Sequence, residues 1–220
     1  MPGTDKARTR KAGSYHHGDL RAALIDTAIE LIGERGVRNF SMAEASRRLG
    51  VAVSAPYAHF ADRDALLAAV KVRAHELLAT GLPGLREPDP ADRLAALARA
   101  YVRFAADHRP LFEVMYQVGL DKIRYPEIEM AERPVNEFFD ACVAALSAPA
   151  GPDGEDLPGD GAAPAGQAAD HLATALEATA HGHAVLLLDG AFGDGPQAVA
   201  TAAERAARAT LALLAGRHLL

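Results

Sequence analysis

The stretch Ser41–Phe60, SMAEASRRLGVAVSAPYAHF, constrains the fold more than any other. Ser41 precedes a helical pattern and Glu44 follows three residues later, the spacing of a capping box in which the hydroxyl takes a free backbone N–H. Met42, Ala45 and Leu49 recur at helical spacing, while Arg47 and Arg48 lie on other faces. Gly50 can adopt the positive φ that ends a helix. Val51 is placed to fill the angle to a second, short helix that runs to about Phe60 and carries Tyr57 and His59. Two helices across so short a turn form a helix-turn-helix pattern, whose second helix can enter a DNA major groove. The same twenty residues also fit an ordinary αα-corner, so the surrounding chain has to separate the two.

Helical periodicity continues on both sides. Asp19–Arg35 reads as a bracing helix with Leu24, Ala28 and Leu31 in one stripe, Ile25, Ile29 and Ile32 beside it, and Gly36 at its end. Phe40 is expected beneath the helix pair, and Phe60 is assigned to the core. Asp62 is the expected N-cap of a longer helix, about 15 residues or roughly 22 Å, that joins two parts of the molecule. Further helical patterns cover Pro90–Asp107, Leu111–Val118, a stretch from Tyr125-Pro126 to about Ser147, Ala168–Leu188 and Pro196–Leu214. Pro134 lies inside the third of these and is expected to kink or divide it. No alternation of β type appears, so the fold class is all-α.

Charge is distributed unevenly. The net charge is −6, yet residues 1–75 hold twelve Lys/Arg against eight Asp/Glu, a balance of +4, and residues 76–220 hold eleven against twenty-one, a balance of −10. Only the N-terminal part is therefore suited to an anionic polymer. Residues 1–14, with Lys6, Arg8, Arg10 and Lys11, read as a flexible basic arm, and 149–166, rich in Pro, Gly, Asp and Ala, as a disordered loop. Cys142 is the single cysteine, so no intrachain disulfide forms. No segment approaches the roughly 20 apolar residues that span a bilayer, and no apolar stretch follows the basic N-terminus. These features lead us to expect a cytoplasmic protein that does not contact a membrane.

The patterns expected of an enzyme are missing. Gly151, Gly154, Gly159 and Gly161 lack the strand-to-helix setting of a nucleotide loop. His181 and His183 stand two apart on a helix and point to different faces, so they do not chelate together. Neither a metal nor a cofactor is expected. A helical adaptor that uses the helix-turn-helix for protein contact is the other class to weigh, and the charge split with Tyr57, His59 and Arg63 argues against it.

YHHGDLRAALIDTAIELIGERG followed by SMAEASRRLGVAVSAPYAHFADRDALLAAV resembles the N-terminal domain of TetR-family transcriptional regulators, continuously over about Tyr15–Val70. The later segment ATAHGHAVLLLDGAF resembles the His-Gly segment of a C-terminal domain in one TetR subfamily, where a Trp usually precedes the His-Gly; this chain has no Trp. The resemblance implies a three-helix DNA-binding head over 15–61 and a ligand-binding and dimerisation body over 62–220. It implies a homodimer on double-stranded DNA, probed by a small-molecule effector, with repression the usual outcome. The last two long helices of each subunit would form the dimer interface, and Ala202, Ala203, Ala206 and Ala209 would let helices approach closely.

The resemblance also assigns residues. Ser41 and Arg47 are expected at the DNA backbone, Tyr57 and His59 match phosphate-contacting positions of the recognition helix, and Arg63 takes the place of a phosphate clamp. Base reading falls to Val53, Ser54, Ala55 and Ala58, whose small side chains offer a methyl contact or one hydroxyl bond but no bidentate fork. Many relatives have Ser where Ala52 stands. Ser54 is then the available cap, with Pro56 in the first turn, which shortens the helix. Tyr101, Phe104, Phe112, Met115, Tyr116, Phe138 and His181 are the candidates to line an effector pocket, and their composition suggests an apolar ligand.

Overall fold

A computed structural model describes residues 20–147 and 165–217. Eight α-helices follow one another: α1 (Leu20–Arg35), α2 (Met42–Leu49), α3 (Arg63–Ala79), α4 (Pro90–Asp107), α5 (Arg109–Gln117), α6 (Pro126–Ser147), α7 (Ala165–Leu188) and α8 (Pro196–Ala215). The described residues contain no strand, so the all-α fold holds. The arm 1–14 lies outside the described residues. So does the segment 149–166, apart from Ala165 and Gly166, which begin α7.

Local chemistry sets the element boundaries. Gly36 (φ 77°) and Gly50 (φ 68°) take left-handed conformations that stop α1 and α2. After Gly50, the Val51 N–H reaches back to the Ser46 carbonyl at 3.0 Å and closes the α2 C-terminus. Asp62 caps α3 by accepting the Ala65 N–H at 2.8 Å, and Asp89 caps α4 by accepting the Ala91 N–H at 2.7 Å. Substituting such a cap by alanine costs about 1 kcal/mol.

Of the two outcomes expected at Pro134, division does not occur: α6 runs as one helix through it. A proline withdraws the N–H that would bond the carbonyl four residues earlier, here that of Met130. Both Met130 and Pro134 are exposed, so water can satisfy that carbonyl and the helix continues past the proline.

One continuous core joins the N-terminal helices to the rest. Leu24, Leu31, Ile32, Phe40 and Phe60 pack with Leu66, Leu67 and Val70 of α3, and these continue to Val102 of α4 and Val114 of α5. A second cluster at the far end gathers Leu94, Cys142, Val143, Leu172, Leu176 and Leu214. Cys142 is 1% exposed there and acts as a small buried hydrophobe. Helix α8 lies against α4 and α7, and an exposed ion pair, Arg99 Nε to Glu204 at 2.9 Å, crosses the α4–α8 seam.

The alanines of α8 serve this packing within the chain. Ala202, Ala203 and Ala206 are at most 1% exposed in the single protomer, as is Ala207, so the close approach expected of the first three is to α4 and α7; Ala209, also expected there, is only half-buried. An interface with a second copy has to use other residues. Replacing Ala206 by leucine should therefore cost about 1–3 kcal/mol by overpacking. Urea unfolding should show the same loss at every protein concentration, as it would not if the stripe faced a partner.

Candidate functional site

The head consists of α1, α2 and a single 3₁₀ turn, Ala55–Ala58, in place of a full recognition helix. The expected helix to Phe60 is thus much shorter. Backbone bonds step three residues at a time, from Ala55 N–H to the Ala52 carbonyl (2.9 Å), Tyr57 to Ser54 (3.2 Å) and His59 to Pro56 (2.9 Å). Ser54 stands at the start of the turn, but its side chain caps nothing. The cause is Pro56. It has no N–H to offer the hydroxyl, and the next N–H, that of Tyr57, already goes to the Ser54 carbonyl. Pro56 itself is buried and anchors the turn to the head.

This turn presents Val53, Ser54, Tyr57, Ala58 and His59 together on the surface, with Ala55 half-buried among them. Val53 and Tyr57 are 55% and 57% exposed, unusual for side chains of their kind in a head this small. Ser41, at the start of α2, accepts the Glu44 N–H at 3.2 Å. The capping box is only half closed, since Glu44 turns its carboxylate to Arg47 and, at 3.6 Å, to Arg35. Arg47 is exposed at the α2 surface. Arg48 is held away from it by two bonds to Glu34 at 2.6 and 2.7 Å.

Arg63 does something the motif did not indicate. Its Nε donates to the Phe40 carbonyl at 3.1 Å and its Nη2 to the Val37 carbonyl at 2.6 Å. The guanidinium also lies 5.8 Å from the centre of the Phe40 ring. These bonds brace the head on the first turn of α3 and leave Nη1 without a carbonyl partner, 3.8 Å from the Asp64 carboxylate.

In the body, a cavity of about 660 Å³ opens among α3, α4, α5, α6 and α7, with Thr210 of α8 at its base. Of the residues expected to line a pocket, Tyr101, Met115, Tyr116 and His181 do so. Phe104, Phe112 and Phe138 do not. Phe104 is 7% exposed and faces His108 within the main core. Phe112 stacks behind His181, ring centres 5.5 Å apart. Phe138 and the neighbouring Phe139 both pack against the far cluster, and only Phe139, one step around α6, also lines the cavity. Tyr101 OH and His181 Nδ1 are 3.1 Å apart. His183 turns the other way and stacks on Phe192, so the two histidines do face apart. Among the described residues no group of three His, Cys, Asp or Glu side chains is placed to hold a metal ion.

The cavity is less apolar than its aromatic lining suggested. Lys71 and His75 of α3, Lys122 of the α5–α6 loop, and Glu132 and Asn136 of α6 all border it, as does Glu177 of α7. Lys122 pairs with Glu132. Burial lowers the Lys71 pKa and raises that of Glu177, and it pushes His75 down to about 4. No local pattern marks these residues in the sequence. Only Lys71 and His75, one turn apart on the apolar helix α3, carry a hint, because polar groups on that face have to be satisfied or used.

Two elements join this cavity to the head. Pro110 at the start of α5 lies against Gly33 of α1, where even a Cβ would stand 3.1 Å from the proline Cγ. The same helix supplies Met115 and Tyr116 to the cavity. The α5–α6 loop sends Lys122 to the cavity, while Arg124 and Tyr125 bond the Asp62 carboxylate at the head of α3.

An all-α protein with a turn-presented surface at one end and a walled cavity at the other has the layout of a DNA-binding regulator. Comparison with known proteins agrees. Residues 24–70 match the model for bacterial regulatory proteins of the tetR family, and residues 94–214 match that for the tetracyclin repressor-like C-terminal domain, which includes the His-Gly segment. The chain belongs to the TetR family of transcriptional regulators and is a DNA-binding regulator by that membership. Both matched domains are parts of regulators and point away from an enzyme. A Rhodococcus sp. RHA1 protein of unknown function is similar at 30% identity, with 89% of this chain and 97% of that one covered and a TM-score of 0.63. The fold is shared with a TetR/AcrR-family regulator from Thermobifida fusca YX-ER1 (22% identity, 88% and 97% covered, TM-score 0.57). It is shared too with the fatty acid degradation regulator FadR from Bacillus halodurans (14%, 92% and 97%, 0.60). No curated protein matches the sequence. No helix among the described residues is long and apolar enough to cross a membrane.

The buried histidine gives a pH signature. With its folded pKa lowered from 6.5 to about 4, His75 stays neutral in the folded chain over a range where the unfolded chain takes up a proton. Its contribution is therefore complete above pH 6.5 and is lost as pH falls toward 4. Thermal midpoints measured from pH 7 to pH 4 should fall less steeply for His75→Gln than for the parent; equal slopes would show that His75 is freely protonated.

Proposed function

We propose that the protein is a ligand-responsive repressor that binds a palindrome-like operator as a homodimer and is released when a small molecule enters the body cavity. The observation that carries this reading is the shared use of two elements. Helix α5 touches both the head, at Gly33, and the cavity, through Met115 and Tyr116. The α5–α6 loop touches both the N-cap of α3 and the cavity, through Arg124 and Lys122. A ligand shifts an equilibrium only by its differential affinity for two states. Here the residues that would feel the ligand share a short element with those that hold the head: Lys122 stands two positions from Arg124, and Met115 and Tyr116 stand on the same nine-residue helix as Pro110.

On DNA, Tyr57 and His59 would contact phosphates and Ser41 would present its hydroxyl at the start of α2. Arg47 would reach the backbone, and Arg63 would offer only Nη1 while bracing the head. Val53, Ser54, Ala55 and Ala58 would meet base edges. A turn so short and so poor in long polar side chains reads few positions directly, so DNA shape and the basic arm would supply part of the selectivity. Half-sites one helical turn apart, about 34 Å, or a multiple of that, fit a dimer.

Mobility shifts on DNA flanking the protein's own gene test the reading. Tyr57→Ala and His59→Ala should each weaken binding about tenfold, as for the loss of a charge-assisted or aromatic phosphate contact. Parent affinity should fall at least about a hundredfold between 50 and 200 mM salt. Unchanged binding by both variants would rule out this surface.

A further inference from the structure

Four polar side chains from three elements meet along the inner wall of the cavity. Lys71 and His75 come from α3, Lys122 from the α5–α6 loop and Glu132 from α6. Glu132, with a side chain only 12% exposed, is paired with Lys122. It lies 3.4 Å from His75 Nε2, yet the two are not aligned for a hydrogen bond, and His75 Nε2 is buried without a partner. Lys71 is half-buried and forms no ion pair among the described residues. Two ammonium groups face one carboxylate here, while His75 is held neutral by burial. The wall thus carries one uncompensated positive charge and one idle buried ring nitrogen. Both are costly to desolvate without a partner.

The rest of the cavity differs. Leu78, Leu94, Leu97, Ala98, Phe139 and Leu176 make most of the remaining wall apolar. Glu177 of α7 also borders the cavity, and its charge acts on both Tyr101 and Tyr116. Its carboxylate repels a second negative charge and so favours one orientation for an anion. At about 660 Å³ the space suits a small molecule.

From this geometry we infer that the cavity binds a monoanionic amphiphile, its carboxylate set against Lys71 and His75 Nε2 and its apolar body among the leucines of α4. The inference rests on the reading of the cavity as the effector site and names the chemistry of that effector. The anion would also compete with Glu132 for Lys122, and Lys122 lies two residues from Arg124, which holds Asp62.

Two ligand shapes, each in three charge forms, provide the test: decanoate, decanamide and decylamine, and 2-naphthoate, 2-naphthamide and 2-naphthylmethylamine. Calorimetric titration of the full chain should give binding of at least one carboxylate about tenfold or more tighter than its amide and amine, the ratio expected for one charged hydrogen-bonded contact. Lys71→Met should abolish that ratio by weakening carboxylate binding. The acid-to-amide ratio of the parent needs no variant, so the test holds even if Lys71→Met folds poorly. An amide or amine binding as tightly as the acid would overturn the inference, as would a ratio unchanged by Lys71→Met or binding by none of the six. Carboxylate binding that leaves DNA affinity untouched would keep this inference and remove the effector reading. Release from DNA by an amine or amide alone would do the reverse.

Discussion

Two consecutive residues, Asp62 and Arg63, hold the molecule together where its parts meet. Asp62 caps α3 and accepts bonds from Arg124 and Tyr125 of the body loop. Arg63 turns the opposite way and donates to the Val37 and Phe40 carbonyls of the head. One peptide bond thus separates the body's grip on α3 from the head's grip on it. The Asp62 pKa is lowered, first by the backbone bond from Ala65 and then by Arg124, which favours the ionised carboxylate that both contacts need. The remainder of α3 continues into the cavity wall at Lys71 and His75. A rigid helix held at its first residue and walled into a cavity two and three turns later is well suited to carry a displacement from one end to the other.

Parts of this design were legible in the sequence because their chemistry is local. The cap at Ser41, the left-handed stop at Gly50, the cap at Asp62 and the buried Phe60 each depend on residues a few positions apart, and each stands where the pattern put it. The bounds of α4 and α6 follow Pro90 and Pro126 for the same reason. What failed was long-range or a matter of degree. The recognition helix shrank to a turn because Pro56 denies Ser54 a capping donor, an effect visible in the sequence but not in its full extent. Phe139 rather than Phe138 reaches the cavity because a step of about 100° around a helix changes which side chain faces it, although both pack against the far cluster. Lys71, Lys122 and Glu132 carry no shared motif; the packing of three separate elements brings them together.

The charge pattern reads differently once side chains have partners. The sequence balance of +4 over residues 1–75 suggested a basic head. Within the described head much of that charge is already answered: Arg48 by Glu34, Arg47 and Arg35 by Glu44, and Arg63 by two carbonyls. Lys6, Arg8, Arg10 and Lys11 precede the described residues and form the densest run of cations in the N-terminal part. Exposed ion pairs are weak, about 0–1 kcal/mol, so Arg47 can exchange Glu44 for a phosphate at little cost. Arg48, held by two bonds, would give up more. The two adjacent arginines of α2 are therefore unequal as phosphate contacts, a distinction that spacing alone does not draw.

The alanines of α8 complete the argument about how the body responds. Small side chains let α8 lie close against α4 and α7. Such a seam is close-packed and transmits displacement rather than absorbing it. The opposite side of the cavity is bounded by α5, nine residues long, and by the loop that carries Lys122 and Arg124. A cavity with one stiff wall and one wall of short elements yields on the second when it is filled. That second wall is the one that touches Gly33 and Asp62, so under the proposed ligand-responsive function the asymmetry of packing would direct a change in the cavity toward the head.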